Sequence, residues 1–152
     1  MLTAYRIAKA SHARTAFSGE GARLAGGRWN RPGEAVVYAS ASLALAAMET
    51  FVHLGEDGLQ IQFVYFRVQI ADGIKLQRCR QPPAQWRTEP PDEASQRYGS
   101  KWLRAGRTAV LEVPSAIIPS EKNFVLNPNH PDFSRLRIGR LLPFVFDPRM
   151  WT

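Results

Sequence analysis

The run LQIQFVYFRVQI, Leu59 to Ile70, is the stretch that most limits what this chain can become. Val64, Phe66, Val68 and Ile70 form one apolar set, while Ile61, Phe63 and Tyr65 give way to Arg67 and Gln69 in the other. A period of two puts successive side chains on opposite faces of a strand, and Phe, Val, Tyr and Ile suit a pleated surface. The run therefore predicts the strongest strand of the chain and a sheet with at least one covered face. At 152 residues the simplest organisation is one domain over residues 1–152.

The other elements follow from local signals. Leu2 to Ala8 (LTAYRIA) reads as a short strand. Ser11 to Ala25 is small, polar and glycine-containing, which predicts a loop or a poorly regular turn segment. Arg31-Pro32-Gly33-Glu34 is a turn, and Ala35 to Ala39 (AVVYA) a short buried strand. Ser40 or Ser42 can cap a helix over Leu43 to Leu54 that ends near Gly55, with Leu45, Glu49 and Val52 on one face. This helix has few polar residues and is expected to be buried on most sides. Gln77 to Pro91, with two Pro-Pro pairs, predicts an extended surface crossing.

Asp92 caps a second helix to about Arg104, stopped by Gly106 and anchored by Trp102 and Leu103. Strands are expected over Ala109–Val113, Asn123–Leu126 and Arg140–Phe146, the last confined to an edge or bulge by Pro143. The segment Pro114–Pro119 reads as a loop or edge strand, and Asn127–Asp132 as a turn. The count, about six or seven strands and two clear helices, defines a mixed α+β domain.

Composition narrows the function classes. The single cysteine, Cys79, permits neither an internal disulfide nor a cysteine-based zinc site, which fits a reducing compartment. No signal-peptide core and no membrane-length apolar run is present, so a cytoplasmic protein without a membrane partner is expected. His12, His53 and His130 show no ligand spacing, and no metal site is expected. Neither G-x-G-x-x-G after a strand nor a P-loop occurs. The net charge of +7 is compatible with a solvated basic surface, nucleic acid, an acidic partner or an anionic small substrate. The basic residues are scattered and do not choose among these.

The chemistry-bearing stretch is Gly26 to His53, GGRWNRPGEAVVYASASLALAAMETFVH. Two glycines deliver Arg28 and Trp29 at a corner that another group can approach closely. Arg28 either caps this turn or offers a planar fork for phosphate or carboxylate. Tyr38 ends an apolar strand, where its default role is a core aromatic with an edge hydroxyl. Glu49 lies among apolar helix neighbours, a costly placement unless it is paired, hydrogen-bonded or set in a cleft. Two readings stay open for it, a structural ion pair with a buried arginine and a carboxylate that stabilises positive charge or holds a hydroxyl. Ser115, in VPSAIIP, lacks the G-x-S-x-G context of an activated nucleophile.

Taken in order, YRI, GGRWN, VVYAS, the acid-bearing helix ending ETFVH, VPSAIIP and NFVLNPNHPDF resemble the RES-domain toxins. The likeness runs from Arg6 to Phe133, and the stretch between Ile70 and Ala109 adds nothing to it. It implies an ADP-ribosyltransferase-like fold and the toxin half of a bacterial toxin–antitoxin pair. It also implies consumption of NAD as substrate, with no separate cofactor, by cleavage of the nicotinamide–ribose bond. Phosphate or a protein can replace water as acceptor in relatives of this kind. The partner implied is an Xre-like DNA-binding antitoxin that blocks the active site; a homodimer within that complex is left open, and direct nucleic-acid binding is not expected.

By the same resemblance Arg28, Tyr38, Glu49 and Ser115 fall on active-site positions, with Arg6 on a frequent basic position of the first strand. Glu49 is then expected to stabilise the developing oxocarbenium charge, as a carboxylate does in glycoside cleavage. Arg28 and Arg6 are expected to clamp the pyrophosphate, Tyr38 to contact the nicotinamide riboside, and Ser115 to hydrogen-bond the dinucleotide. A basic nucleic-acid-binding module, stacking bases on Trp29, Trp86 and Trp102, is the alternative from a different class.

Overall fold

The alternating run becomes β3, Phe63–Ile70, which pairs with three other strands of the sheet. The computed structural model describes all residues from Met1 to Thr152. β3 pairs antiparallel with β1 (Leu2–Lys9) from Leu2 opposite Ile70 to Lys9 opposite Phe63. Its other side carries two short strands, β7 (Arg137–Ile138) and β8 (Leu142–Phe144). Pro143 lies opposite Val64 in β8, on the sheet's edge, as a residue without an N–H requires.

The remaining strands are β2 (Val37–Ser40), β4 (Leu76–Arg78), β5 (Val110–Pro114) and β6 (Lys122–Leu126). All eight join one sheet in the order β4-β5-β6-β2-β1-β3-β7, with β8 on β3. Only the β4–β5 pair is parallel. The α+β class expected from the sequence is the one observed, with the strands in a single sheet.

Three α-helices cover it: α1 (Glu20–Ala25), α2 (Leu43–Phe51) and α3 (Glu93–Ala105). α2 is capped by Ser42, whose hydroxyl accepts from the Leu45 N–H at 3.0 Å. α3 is capped by Asp92 and closed by Gly106, as the sequence signals indicated. Leu111, Val113 and Val125 form one apolar cluster with Trp29 and Trp102, and Trp102 lies in α3. Ile7 and Phe63 form another with Ala46 of α2. On the opposite face Ala4, Val37, Val68, Val110, Phe124 and Leu126 build the largest apolar cluster.

Several boundaries differ from the sequence expectations. Ser11–Ala25 is more regular than the loop or turn segment expected: it holds most of a 3-10 segment over Ala10–Thr15 and all of α1. Neither piece buries a residue, so no apolar periodicity announces them; α1 rests on an Arg23 Nε–Glu20 pair at 2.9 Å and the Ser18 hydroxyl at its start. α2 stops at Phe51, short of Leu54, and Val52 is exposed. It buries only Leu45 and Ala46 fully, because Glu49 and Thr50 face a cleft and Ala44 and Met48 face outward. β3 begins at Phe63 because Glu56–Gln60 coils into a 3-10 turn. The crossing expected over Gln77–Pro91 starts inside β4, which adds an eighth strand beside β5.

Candidate active site

β1 and β2 meet at one register pair, Tyr5 with Ser40, although each pairs fully with its other neighbour. The sheet is split along this line, and a cleft of about 720 Å³ opens over it. α2 forms one wall, while Gly26–Trp29 and the residues around Glu89 form the other. Strand pairing places Tyr38 beside Val125 and Ser40 beside Asn123, so Tyr5, Tyr38, Ser40 and Asn123 share one face and floor the cleft.

Arg6 lies in the split. Its Nε donates to the Ala16 carbonyl at 2.6 Å and its Nη1 to the Tyr38 carbonyl at 2.9 Å. The second bond fills an acceptor of β2 that a continuous ladder would have filled with a main-chain N–H. No carboxylate pairs with Arg6, and desolvation lowers its pKa to about 10, which leaves it charged at neutral pH. A buried cation without a counter-charge favours an anion in the adjoining cleft.

The Gly26-Gly27 corner is fixed from below. Tyr38 Oη donates to Asn30 Oδ1 at 2.7 Å and accepts from the Trp29 N–H at 3.0 Å. Asn30 Nδ2 in turn lies within 2.9–3.1 Å of the Ala22, Arg31 and Glu34 carbonyls. A Cβ at Gly27 would stand 2.9 Å from both Tyr38 Oη and Asn30 Oδ1, so only glycine fits without displacing that bond. Burial pushes the Tyr38 phenol well above its ordinary pKa, which keeps it a neutral donor. α3 braces the corner from outside, through Gln96 Nε2 to the Gly27 carbonyl at 3.0 Å and through Gly99 against Trp29.

Arg28 projects from this corner with its fork engaged. Nη1 donates to the carbonyls of Trp86 and Thr88, both at 2.9 Å, and Nη2 to Glu89 Oε2 at 2.6 Å. The guanidinium ties the proline-rich crossing down beside the cleft, a use of its planar fork that lysine cannot copy. The expected pyrophosphate clamp is thus a guanidinium already holding a carboxylate, which a phosphate would have to replace or join.

Three acids line the cleft. Glu20 pairs with Arg23 and Glu89 with Arg28, but Glu49 has no basic partner. The buried ion pair considered for Glu49 is therefore not what holds it. Its Oε2 accepts from Ser115 Oγ at 2.8 Å and from Asn123 Nδ2. Its Oε1 has no protein hydrogen-bond partner.

Ser115 stands behind the cleft wall. It is fully buried and absent from the cleft lining, although Pro114 and Ala116 on either side reach it. Its hydroxyl also accepts from the N–H groups of Ile117 and Ile118 at 3.1 Å. With its oxygen accepting from the loop and its proton given to Glu49, Ser115 supports the carboxylate from behind the cleft wall.

Arg6, Arg28, Tyr38 and Glu49 all line the one cleft. Sequence reasoning missed Asn30 and Asn123. The signal for Asn123 was there: it shares a face with Val125, so its amide is turned to the packed side, where it needs partners. Trp29 and Trp102 are both buried, which withdraws two of the three rings expected to stack bases.

A family model described as RES domain matches residues 3–147. The chain is 39% identical over 138 residues to the Prs ADP-ribosylating toxin of Sphingobium sp. strain YBL2, covering 88% of this chain and 86% of that protein. It is 36% identical over 148 residues to Toxin Res of Yersinia enterocolitica, covering 96% and 97%. Among solved structures, a chain of the M. tuberculosis MbcT–MbcA toxin–antitoxin complex matches with a TM-score of 0.76 at 18% identity, over 99% of this chain and 86% of that one. The fold is shared with that chain.

Proposed function

This chain belongs to the RES domain family, and we propose on that premise that it is the toxin of a toxin–antitoxin pair, cleaving the nicotinamide–ribose bond of NAD. The observation that carries the reading is Glu49: the one cleft acid without an arginine, held by one oxygen and open at the other. Loss of nicotinamide leaves positive charge on the ribose ring carbon and oxygen. A fixed carboxylate beside that charge stabilises the transition state more than the ground state. Oε1 supplies this, or binds a ribose hydroxyl whose polarity rises as the bond breaks.

The leaving group needs no proton, because the pyridinium nitrogen recovers its electron pair as the glycosidic bond breaks. Arg6 and Arg28 supply positive charge for the pyrophosphate, Arg6 through the Nη2 that its carbonyl contacts leave free. Tyr38 acts on the substrate through the corner it holds, with its ring in the cleft floor. Water is the simplest acceptor, which makes the reaction NAD glycohydrolysis; NAD is the substrate and no further cofactor is invoked. A DNA-binding antitoxin of the Xre-like kind is the partner, and the cytoplasm, where NAD is plentiful, is the place of action.

One observation favours a second acceptor. The Sphingobium relative is named for ADP-ribosylating Prs, so transfer of ADP-ribose to a protein stands as the second reading on the same site. Incubating purified protein with adenylate-labelled NAD, with and without phosphate or cell lysate, separates the outcomes. Free nicotinamide with ADP-ribose supports hydrolysis, a phosphorylated ADP-ribose supports phosphorolysis, and label in a protein band supports transfer. Undiminished NAD in every arm would overturn the proposal.

A further inference from the structure

We propose that Asn123 is a positioning residue for Glu49, acting through a Ser40–Asn123–Glu49 hydrogen-bond relay. The inference rests on the assignment of Glu49 as the charge-stabilising carboxylate. Asn123 stands at the start of β6, opposite Ser40 in the β2–β6 register. Its two amide atoms are both committed. Oδ1 accepts from Ser40 Oγ at 2.7 Å, and Nδ2 donates to Glu49 Oε2. Ser40 is itself buried, so its hydroxyl has little solvent to turn to.

The direction of the relay follows from the acceptor at its end. A carboxylate oxygen can only accept, so Asn123 must turn its NH2 to Glu49 and its oxygen to Ser40, whose hydroxyl supplies the proton. A second relay reaches the same oxygen from the other side: the Ile117 and Ile118 N–H groups into Ser115 Oγ, and Ser115 into Oε2. Chains of hydrogen bonds polarise one another, so each donor on Oε2 is strengthened by the one behind it.

Two donors on one oxygen, arriving from β6 and from the loop after β5, fix the plane of the carboxylate. They fix it with Oε1 unoccupied. Ser115 alone would leave rotation about the Oε2 contact; Asn123 removes it. A helix rotamer of Glu49 would otherwise be free to swing along the cleft, and misplacement by an ångström is enough to cost catalysis. The apolar packing of β6 is carried by its neighbours Phe124, Val125 and Leu126.

The test compares Asn123→Ala, Asn123→Asp and Ser40→Ala with the wild-type chain in NAD turnover. Asn123→Ala is expected to lower kcat about 10- to 100-fold, as loss of a group that orients an active-site ligand does, with KM for NAD little changed. Ser40→Ala moves kcat the same way by less. Asn123→Asp loses activity at neutral pH, where the introduced carboxylate cannot donate to Glu49, and regains part of it on acidification. In a Glu49→Gln background Asn123→Ala adds no further loss.

Equal losses of Asn123→Ala in the two backgrounds, or a change confined to KM, would overturn the inference. A readout independent of turnover separates this from failure of the NAD reading. The carbon-13 resonance of the Glu49 carboxyl, assigned by its loss in Glu49→Gln, is expected to shift in Asn123→Ala. If the wild-type chain leaves NAD intact, the functional reading falls, and an unmoved carboxyl resonance would still sink the relay.

Discussion

Glu49→Gln is the substitution that separates charge from structure at this site. The carboxylate accepts two donors on Oε2, from Ser115 Oγ and Asn123 Nδ2, and none on Oε1. An amide can put its oxygen where Oε2 stands and keep both bonds, leaving its NH2 toward the solvent-filled cleft. Stability should therefore change by no more than about 1 kcal/mol, the difference between charged and neutral acceptors. Glu49→Ala instead strands two donors, the buried Ser115 hydroxyl and the half-buried Asn123 amide, at roughly 1–3 kcal/mol each, and water entering from the cleft offsets part of that. With about 2–3 kcal/mol remaining, the melting temperature should fall by roughly 4–12 °C at this chain length.

Activity should not follow that order. Both variants lose the negative charge and should lose about 10²-fold or more in kcat for nicotinamide release. Thermal melts and a nicotinamide assay on the three proteins therefore give two rankings that must differ. Glu49→Gln turning over NAD at the wild-type rate refutes the charge argument. Glu49→Gln melting as low as Glu49→Ala refutes the hydrogen-bond argument, whatever the activity.

Other substitutions probe the walls of the cleft. Tyr38→Phe leaves Asn30 Oδ1 and the Trp29 N–H without their partner, so a loss of about 1–3 kcal/mol in denaturant unfolding is expected. Gly99→Ala gains under about 1 kcal/mol of helix propensity, but its Cβ would lie 1.6 Å from the Trp29 carbonyl oxygen. The clash dominates, and a folded, soluble Gly99→Ala with an unchanged melting temperature would show that α3 does not brace the corner. Arg28→Lys replaces a fork on three acceptors by one ammonium; faster proteolysis within Trp86–Glu89 and a raised KM for NAD are expected. Glu89→Gln removes the exposed carboxylate from Arg28, changing stability by less than about 1 kcal/mol while lowering KM for NAD.

The elements with a strong period or a strong cap were legible. β3 showed its alternation, α3 its Asp92 cap and Gly106 stop, and β8 its edge position through Pro143. α1 and the Ala10–Thr15 turn were not, because neither buries an apolar residue and burial is what imposes a readable period. β4 was hidden for a different reason. It is three residues long and takes its place from β5 alongside, a tertiary effect that overrides weak local preference.

The site divides along a similar line. Arg28, Tyr38 and Glu49 stood out by type: a cation at a glycine corner, a hydroxyl at a strand end, an acid among apolar neighbours. Their partners did not, because partner choice is settled across the fold. Ser115 lies far from Glu49 in sequence, and nothing local indicates that its hydroxyl is buried against that carboxylate. Asn30 and Asn123 were ordinary polar residues until the fold brought one to the Tyr38 hydroxyl and the β2–β6 register brought the other beside Ser40.

The break between β1 and β2 explains why these groups gather where they do. A complete ladder would satisfy the facing main-chain groups and let apolar side chains close over them. With one register pair formed, Tyr38 presents a carbonyl to the gap, and only a long side chain with several donors can reach it from β1. Arg6 does so, and its charge then stands near the cleft without an acid to oppose it. Replacing Arg6 by an apolar residue of similar length would restore neither the Tyr38 nor the Ala16 acceptor. The opening and the unpaired cation within it are thus consequences of one missing strand pairing, and Glu49 on α2 faces that opening from the other side.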